Sequence, residues 1–177
     1  MKFPTSRRLG RTIPFTGRVF RVESDRVRLP NGRDATLDIV RHRGSVVLIP
    51  QPSRRDVILI RQFRYAIDRW IWELPAGTLE PGEAPRVAVR RECAEEIGLT
   101  PGRVEKLGTF YPTPGFCDEV MVFFRCTDLK PPKRPPALDP DEQIEPRTFS
   151  LTEVRRLIAN GDVVDMKTVV GIGLLDA

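Results

Sequence analysis

The chain has 177 residues, of which 40% are hydrophobic and 30% are charged, and its formal net charge is +5. This composition is typical of a folded globular protein and excludes a disordered chain. No apolar run approaches the roughly 20 residues that a membrane-spanning helix needs, so no membrane partner is expected.

The distribution of charge narrows the possible functions. Residues 1–43 carry eleven Arg or Lys against four acids, which suits an anionic partner, although ordinary surface charge explains the excess equally well. Aromatic residues do not alternate with these arginines, so nucleic-acid binding is not expected. The basic N-terminus has no apolar segment after it, so no signal peptide is predicted and a cytoplasmic protein is expected.

The cysteine and histidine content points to carboxylate chemistry. The three cysteines are widely spaced without a CxxC pair, so neither a zinc site nor a disulfide framework is predicted. A single histidine, His42, argues against a Ser-His-Asp triad and against a histidine-rich metal site. If the chain is an enzyme, carboxylates are therefore the expected ligands and bases.

Predicted strands dominate the first third of the chain. Residues 19–42 form a predicted β-hairpin, because two partly alternating runs flank Asn31-Gly32, which is a strong turn signal. The short apolar runs 45–50 and 57–63 are consistent with buried strands, and the segment between them is a predicted turn.

The middle of the chain contains the strongest helix candidate. Apolar residues recur every four positions along one face of residues 84–97, and Gly98 follows them. Two further strands are predicted at 104–110 and 119–126, and the proline- and glycine-containing segment between them is a predicted loop.

The last third begins with a proline-rich segment. Residues 129–146 contain six prolines and predict an extended loop. Two helices are predicted after it, at 151–161 with Thr152 as the N-cap and at 166–175. Strands interspersed with helices predict an α/β or α+β domain with a mixed sheet.

The predicted helix at 84–97 carries three acids on one side. Glu92, Glu95 and Glu96 share a face because residues three and four apart are neighbours on a helix. Like charges at this spacing cost about 0.2–0.5 kcal/mol per pair, whereas a hard divalent cation would attract them. Taken alone, such a face is more often solvated than metal-binding.

The wider pattern resembles the Nudix box. That signature reads G-x5-E-x7-R-E-U-x-E-E-x-G-U, where U is a bulky aliphatic residue, and residues 77–99 fill it from Gly77 to Leu99. Cys93 departs from it at the first U position, but cysteine behaves as a small buried hydrophobe. The resemblance implies the Nudix fold, in which a mixed β-sheet is sandwiched between helices, and hydrolysis of a nucleoside diphosphate linked to another group.

The resemblance also assigns roles to residues of the box. It implies four metal ligands, namely the carboxylates of Glu92, Glu95 and Glu96 and the carbonyl of Ala76. The implied cofactor is Mg²⁺, with Mn²⁺ as a substitute. Arg91 would orient the carboxylates by ion pairing, and Glu83 would brace the loop rather than bind metal.

Features outside the box are similar to the ADP-ribose pyrophosphatase subgroup of this family. The motif WELPAG runs into the box, Pro114 lies fifteen residues after Leu99, and Glu119 matches a substrate-binding glutamate. Arg64 matches a substrate-contacting arginine. Pro114 with Gly115 could equally be an ordinary turn, and Arg64 could simply pair with a surface acid.

The resemblance implies a reaction and its catalytic residues. The products would be AMP and ribose 5-phosphate, and the catalytic roles would fall to Glu142, Glu95 and Arg91, with Glu142 as the general base. Acidic neighbours of Glu142 could take that role instead, because the proline-rich segment before it departs from the subgroup's pattern.

The same subgroup often exchanges its N-terminal strands across a homodimer. Residues 1–43 would then be a β-rich extension, and residues 44–177 would be the Nudix hydrolase domain. A hairpin of this size does not fold alone. Arg41 and Arg43 could reach the diphosphate from the extension.

Three other functions remain open from the sequence. A nucleotide-sugar pyrophosphatase acting on GDP-mannose or UDP-sugars would keep the fold and the chemistry. A Nudix-like ligand-binding regulator without turnover would usually have lost box glutamates, which this chain retains. An RNA-end hydrolase would suit the basic charge but would be expected to carry an added RNA-binding segment.

Overall fold

The computed structural model describes residues 5–132 and 143–176, and it contains ten β-strands and three α-helices within these ranges. The described chain forms two compact units. The smaller unit contains the chain up to Gly44 together with Tyr111–Val120, and the larger unit contains Ser45–Phe110 and the residues from Met121 onward. None of the helices in the described ranges is long and apolar enough to cross a membrane.

The smaller unit is built on one antiparallel sheet. Its strands, in spatial order, are β1 (Arg7–Thr16), β2 (Phe20–Arg28) and β3 (Asp34–His42). The predicted hairpin of β2 and β3 is confirmed, with pairing from Phe20 opposite His42 to Arg28 opposite Asp34. Gly32 in the turn has a φ of 82°, a left-handed conformation that glycine adopts without steric cost.

Two acids lie on the buried side of β2, where a periodic strand would normally place apolar residues. Glu23 and Asp25 are buried, and arginines from the neighbouring strands pair with them. Arg11 of β1 binds Asp25 through Nε and Nη2 at 2.6 and 2.8 Å, and Arg41 of β3 binds Glu23 through Nε at 2.7 Å. This sheet is therefore held together by paired charges as well as by its hydrogen-bond ladder.

The larger unit contains two sheets. A mixed four-stranded sheet has the order β7 (Ala76–Thr78), β4 (Ser45–Pro50), β9 (Met121–Lys130) and β8 (Thr100–Phe110), and only β4 and β9 run parallel. An antiparallel sheet has the order β10 (Ile144–Ser150), β5 (Asp56–Arg64) and β6 (Arg69–Glu73). The predicted strands at 45–50, 57–63, 104–110 and 119–126 are all present, with shifts of a few residues at their ends.

Three helices complete the larger unit. They are α1 (Pro85–Ile97), α2 (Leu151–Ala159) and α3 (Met166–Gly173). Every residue of β4 is buried, and both α1 and α3 contact this strand. Val47 and Ile49 of β4 belong to the core that also contains Phe123 of β9 and Ile172 of α3. The predicted mixed sheet with helices packed against it is confirmed.

The helix ends follow local capping chemistry. Gly98 ends α1 in the left-handed conformation with a φ of 67°, as expected for a glycine after a helix. The prediction that Thr152 caps α2 is wrong, because β10 runs to Ser150 and the Ser150 hydroxyl accepts a hydrogen bond from the Glu153 N–H at 3.1 Å. Asp165 caps α3 in the same way.

Candidate active site

Helix α1 places two box carboxylates against the backbone of β7. The Glu96 Oε2 atom accepts a hydrogen bond from the Ala76 N–H at 2.9 Å. The Glu92 carboxylate lies against Gly77, where an added Cβ would be only 1.8 Å from Glu92 Cδ. Both side chains are buried, with 8% and 6% of Glu92 and Glu96 exposed. The acidic face of α1 is therefore partly a buried face and not a solvated surface.

Arg91 binds the remaining acids of the box. Its Nε and Nη2 atoms donate to both oxygens of Glu83 at 2.9 and 2.8 Å, and its Nη1 donates to Glu92 at 2.6 Å and to Glu95 at 3.0 Å. The Glu83 hydrogen bonds are the main cause that raises the pKa of Arg91, and the same bonds lower the pKa of Glu83. Both groups are therefore charged at neutral pH.

Glu83 also shapes the loop that precedes the helix. Its Oε2 atom accepts a hydrogen bond from the Glu80 N–H at 3.1 Å, and Arg91 Nη2 also reaches the Thr78 carbonyl at 3.4 Å. Arg91 thereby connects the end of β7, the loop and α1. These contacts suit the orienting role that the resemblance implied for Arg91 and the loop-bracing role implied for Glu83, and both roles stay predictions.

The donor chemistry of this site fits a hard divalent cation. The site offers three carboxylates and a neighbouring backbone segment, and such cations bind oxygen ligands. Over residues 5–132 and 143–176, no three Asp, Glu, His or Cys side chains surround one point as they stand. Because Gly77 has no side chain, the Glu92 carboxylate can lie directly against the backbone. A side chain at position 77 would occupy the same space as this carboxylate.

Arg64 lies at the end of β5 and is paired with a buried acid. Its Nε and Nη2 atoms donate to Glu73 Oε1 and Oε2 at 2.8 and 2.9 Å. Burial lowers the pKa of Arg64, but the Glu73 hydrogen bonds and the charges of Glu73, Glu96 and Asp165 raise it by more. The alternative that Arg64 pairs with a surface acid is wrong, because Glu73 is 1% exposed.

The other predicted substrate residues lie in the smaller unit. Arg41 binds Asp118 Oδ2 through Nη1 at 3.0 Å in addition to Glu23, and Arg43 reaches the Arg18 carbonyl at 3.5 Å. Two of these residues, Arg41 and Arg43, line a cleft of about 300 Å³ in this unit.

The loop of the smaller unit contains Pro114 and Glu119, which are the remaining two predicted substrate residues. Pro114 lies in the segment Tyr111–Val120, and Glu119 Oε1 is 3.7 Å from His42 Nδ1. This segment pairs with β3, because the Val40 N–H donates to the Phe116 carbonyl at 2.8 Å. Glu142, the predicted general base, lies outside the described residues.

Sequence reasoning did not single out Glu73, Lys167 and Asp165, which the structure brings to Arg64. Lys167 Nζ contacts Glu73 Oε2 and lies 3.2 Å from Asp165 Oδ2. Glu73 stands in the WELPAG motif of residues 72–77, so the sequence does contain a signal for it. Lys167 gives no comparable signal, because it is a lone lysine near the start of an apolar helix.

Comparison with known families settles the family of this chain. A family model described as the NUDIX domain matches residues 40–168, which include the whole box. The chain belongs to the Nudix family. The match runs from the last three residues of β3 to the first three residues of α3, so it spans most of the larger unit.

Two relatives that carry different names are equally similar to this chain. An ADP-ribose pyrophosphatase from Bacillus subtilis (strain 168) is 35% identical over 161 residues, which cover 91% of this chain and 87% of that protein. A protein named methanol dehydrogenase activator from Bacillus methanolicus is also 35% identical, with the same coverage.

A solved structure supports the fold. The crystal structure of an ADP compounds hydrolase matches with a TM-score of 0.84 and covers 99% of this chain and 95% of that chain. Its identity is 21%, so this likeness shows the fold alone. The predictions of the Nudix fold, the Nudix family and a hydrolase of phosphoric anhydride bonds are confirmed.

Proposed function

We propose that this Nudix hydrolase cleaves the pyrophosphate of ADP-ribose to AMP and ribose 5-phosphate with the help of a divalent cation. The observation that carries the proposal is the position of Glu92 and Glu96, whose buried carboxylates lie against the backbone of residues 76–77. The relative named ADP-ribose pyrophosphatase supports the choice of substrate.

The box residues would hold the cation, and Mg²⁺ is the ion that we favour. The proposed ligands are the three carboxylates Glu92, Glu95 and Glu96 and the carbonyl of Ala76. A bound divalent cation supplies Lewis acidity and neutralises charge that develops on phosphate oxygens. Arg91 keeps Glu92 and Glu95 oriented through its Nη1 atom, and its bidentate pair with Glu83 fixes the guanidinium itself.

Arg64 would bind the anionic substrate. Its guanidinium is fixed on one side by Glu73, and its side chain is 40% exposed. A planar guanidinium binds phosphate oxygens through parallel N–H groups, and fixing it beforehand lowers the entropy cost of binding. We keep Glu142 as the proposed general base on the resemblance alone.

Two competing functions make different predictions. A nucleotide-sugar pyrophosphatase would turn over GDP-mannose or a UDP-sugar faster than ADP-ribose. A regulator without turnover would not hydrolyse any of these compounds, and a relative named methanol dehydrogenase activator is as similar to this chain as the pyrophosphatase. The complete set of box carboxylates favours hydrolysis, because a ligand-binding regulator without turnover would usually have lost some of them.

A substrate panel tests the proposal. The purified protein is incubated with Mg²⁺ and ADP-ribose, GDP-mannose, UDP-glucose, NADH or diadenosine polyphosphates, and phosphate is measured after a coupled phosphatase step. We expect kcat/KM to be highest for ADP-ribose. A rank near the bottom for ADP-ribose would refute the proposed substrate, and no turnover of any compound would favour the regulator.

The N-terminal extension would act in a homodimer. We propose that strands of residues 1–43 exchange between two copies, and that Arg41, Arg43, Pro114 and Glu119 contact the substrate. The sheet of the smaller unit carries exposed apolar side chains, including Ile13, Phe15 and Leu37, which suits a protein partner. Sedimentation showing a monomer at micromolar concentration would refute the dimer. A cytoplasmic location stays a prediction.

A further inference from the structure

A buried acid at the end of β6 joins two cations from distant parts of the chain. The Oε1 atom of Glu73 accepts from Arg64 Nε, and its Oε2 atom accepts from both Arg64 Nη2 and Lys167 Nζ. Glu73 is 1% exposed and Lys167 is 7% exposed. A charge buried to this extent is costly without a partner, so the three side chains depend on one another.

The contact with Glu73 occupies one edge of the Arg64 guanidinium and leaves another edge open. Nε and Nη2 face the carboxylate, whereas Nη1 makes no hydrogen bond to any of the residues that the structure describes. The charge of Glu96 acts on this group, so Arg64 lies within electrostatic range of the box. An arginine held side-on in this way presents its remaining N–H groups in a fixed direction.

Helix α3 fixes the position of Lys167. Asp165 Oδ2 accepts from the Thr168 N–H at 2.9 Å and from the Thr168 hydroxyl at 2.6 Å. The Thr168 Oγ1 atom in turn accepts from the Leu74 N–H at 2.7 Å. The first turn of α3 is thereby bound to residues 73–74, immediately before the box, and Lys167 is carried to Glu73.

The charges of this cluster balance only when Lys167 is present. Arg64 and Lys167 contribute two positive charges, and Glu73 and Asp165 contribute two negative charges. Removing Lys167 would leave one net negative charge beside an arginine that has to bind a diphosphate. It would also hold Glu73 less firmly, because the Oε2 atom would lose one of its two charged donors.

We propose that Glu73 and Lys167 are positioning residues that hold Arg64 in the orientation that binds the substrate diphosphate. The inference rests on the proposed function, since it assigns Arg64 to the diphosphate. Lys167 is too buried to contact the substrate itself, so it acts through Glu73. Loss of either residue should therefore weaken substrate binding more than it slows the chemical step.

Steady-state kinetics with ADP-ribose and Mg²⁺ test the proposal. The Lys167→Met variant should raise KM by about tenfold with a smaller change in kcat, since a lost charge-assisted hydrogen bond corresponds to about a tenfold change in affinity or more. Glu73→Gln should raise KM at least as much. In an Arg64→Met background, Lys167→Met should change KM by less than about twofold.

Two control variants separate positioning from a purely structural role. Lys106→Met removes an exposed lysine from β8 and should leave KM unchanged. Lys167→Arg keeps the positive charge and should restore most of the lost affinity. Urea unfolding of each variant gives the folded fraction, and the lysine variants keep the test valid if Glu73→Gln does not fold.

The outcomes distinguish this inference from the proposed function. If Lys167→Met lowers stability and kcat but leaves KM unchanged, or raises KM equally with and without Arg64, the positioning role is refuted. If the wild-type protein prefers another nucleoside diphosphate derivative, the proposed substrate fails, and the same KM comparison is made on that compound. If calorimetric titration with ADP-ribose in EDTA gives equal Kd values for wild type and Lys167→Met, the positioning role is also refuted.

Discussion

The carboxylate of Glu92 occupies the space that a side chain at Gly77 would fill. A Cβ at position 77 would lie 1.8 Å from both Cδ and Oε1 of Glu92. These residues are the first glycine of the Nudix box and the first of its three glutamates that we propose as metal ligands. The glycine is therefore required at this point by the close approach of the Glu92 carboxylate, and not by a left-handed backbone.

Replacing Gly77 by alanine should strongly lower activity while the protein stays folded. The clash is with the far end of a flexible side chain, so Glu92 can turn away at little cost in stability. We expect kcat/KM on the best substrate to fall by about 100-fold or more, which corresponds to about 2.7 kcal/mol of lost transition-state stabilisation. Kinetics and thermal unfolding of Gly77→Ala measure the two effects.

A double substitution checks the cause of this loss. In a Glu92→Ala background the clashing carboxylate is absent, so Gly77→Ala should add almost no further loss of activity. A large additional loss in that background would show that Gly77 acts through something other than Glu92.

Two glycines of helix α3 should respond oppositely to alanine. A Cβ at Gly171 would lie 2.4 Å from Leu74 Cδ1, which is fully buried, whereas a Cβ at Gly173 would meet nothing within 4 Å. Gly171→Ala should lower the free energy of unfolding by about 1–3 kcal/mol through overpacking. Gly173→Ala should leave it unchanged or raise it by up to about 1 kcal/mol. Urea unfolding measures both, and equal effects would contradict the packing described for α3.

The central helix and its acidic face could be predicted because their signals are local. The box fixes seven residues within 77–99, and helical geometry places Glu92, Glu95 and Glu96 together. The end of α1 at Gly98 follows from the same short segment. In such a segment each contact joins residues that are close in sequence.

The remaining features depend on contacts that sequence spacing does not reveal. Lys167 reaches Glu73 from 94 positions away, and only the packing of α3 brings them together. Strand β1 could not be predicted, because its sequence shows no alternation of apolar and polar residues. Its residues are mostly exposed, and they include Gly10 and Pro14. β7 is three residues long, which is too short for a periodic pattern.

The three cysteines should differ in reactivity. All are free thiols, and Cys93 and Cys126 are completely buried, whereas Cys117 is partly exposed. Burial raises the pKa of Cys93, and it raises the pKa of Cys126 to about 12, so neither forms the reactive thiolate at neutral pH.

Titration with Ellman's reagent tests this difference. One thiol should react rapidly in the native protein, and all three should react in guanidinium chloride. The Cys117→Ser variant should show no rapid reaction in the native state. Rapid reaction of all three native thiols would contradict the burial of Cys93 and Cys126.

The paired acids of the smaller unit should make its stability sensitive to acid. The hydrogen bonds from Arg11 are the main cause that lowers the pKa of Asp25 below its ordinary value of 3.8. A carboxyl whose pKa is lowered by folding stabilises the folded state above its unfolded pKa. That stabilisation is lost as the pH falls below about 3.8 through the folded value.

Thermal unfolding of Asp25→Asn tests the sign of this effect. The variant should melt below the wild type at pH 7, and the difference should shrink as the pH falls through 3.8. Asp38→Asn is the matched control, because Asp38 lies on the same sheet, is exposed, and has no ion pair within the described residues. A difference between Asp25→Asn and wild type that stays constant from pH 7 to about pH 2 would contradict the pairing.

Hydrolysis of ADP-ribose by the wild-type protein and by Glu96→Gln, with Mg²⁺ present, tests the central claim most directly. Glutamine can still accept the Ala76 N–H bond but loses the charge that a cation requires. We predict that the wild type forms AMP and ribose 5-phosphate, and that Glu96→Gln is at least about 100-fold slower, equivalent to about 2.7 kcal/mol, with an unchanged melting temperature. Full turnover by Glu96→Gln would contradict the proposed metal-binding role of the box.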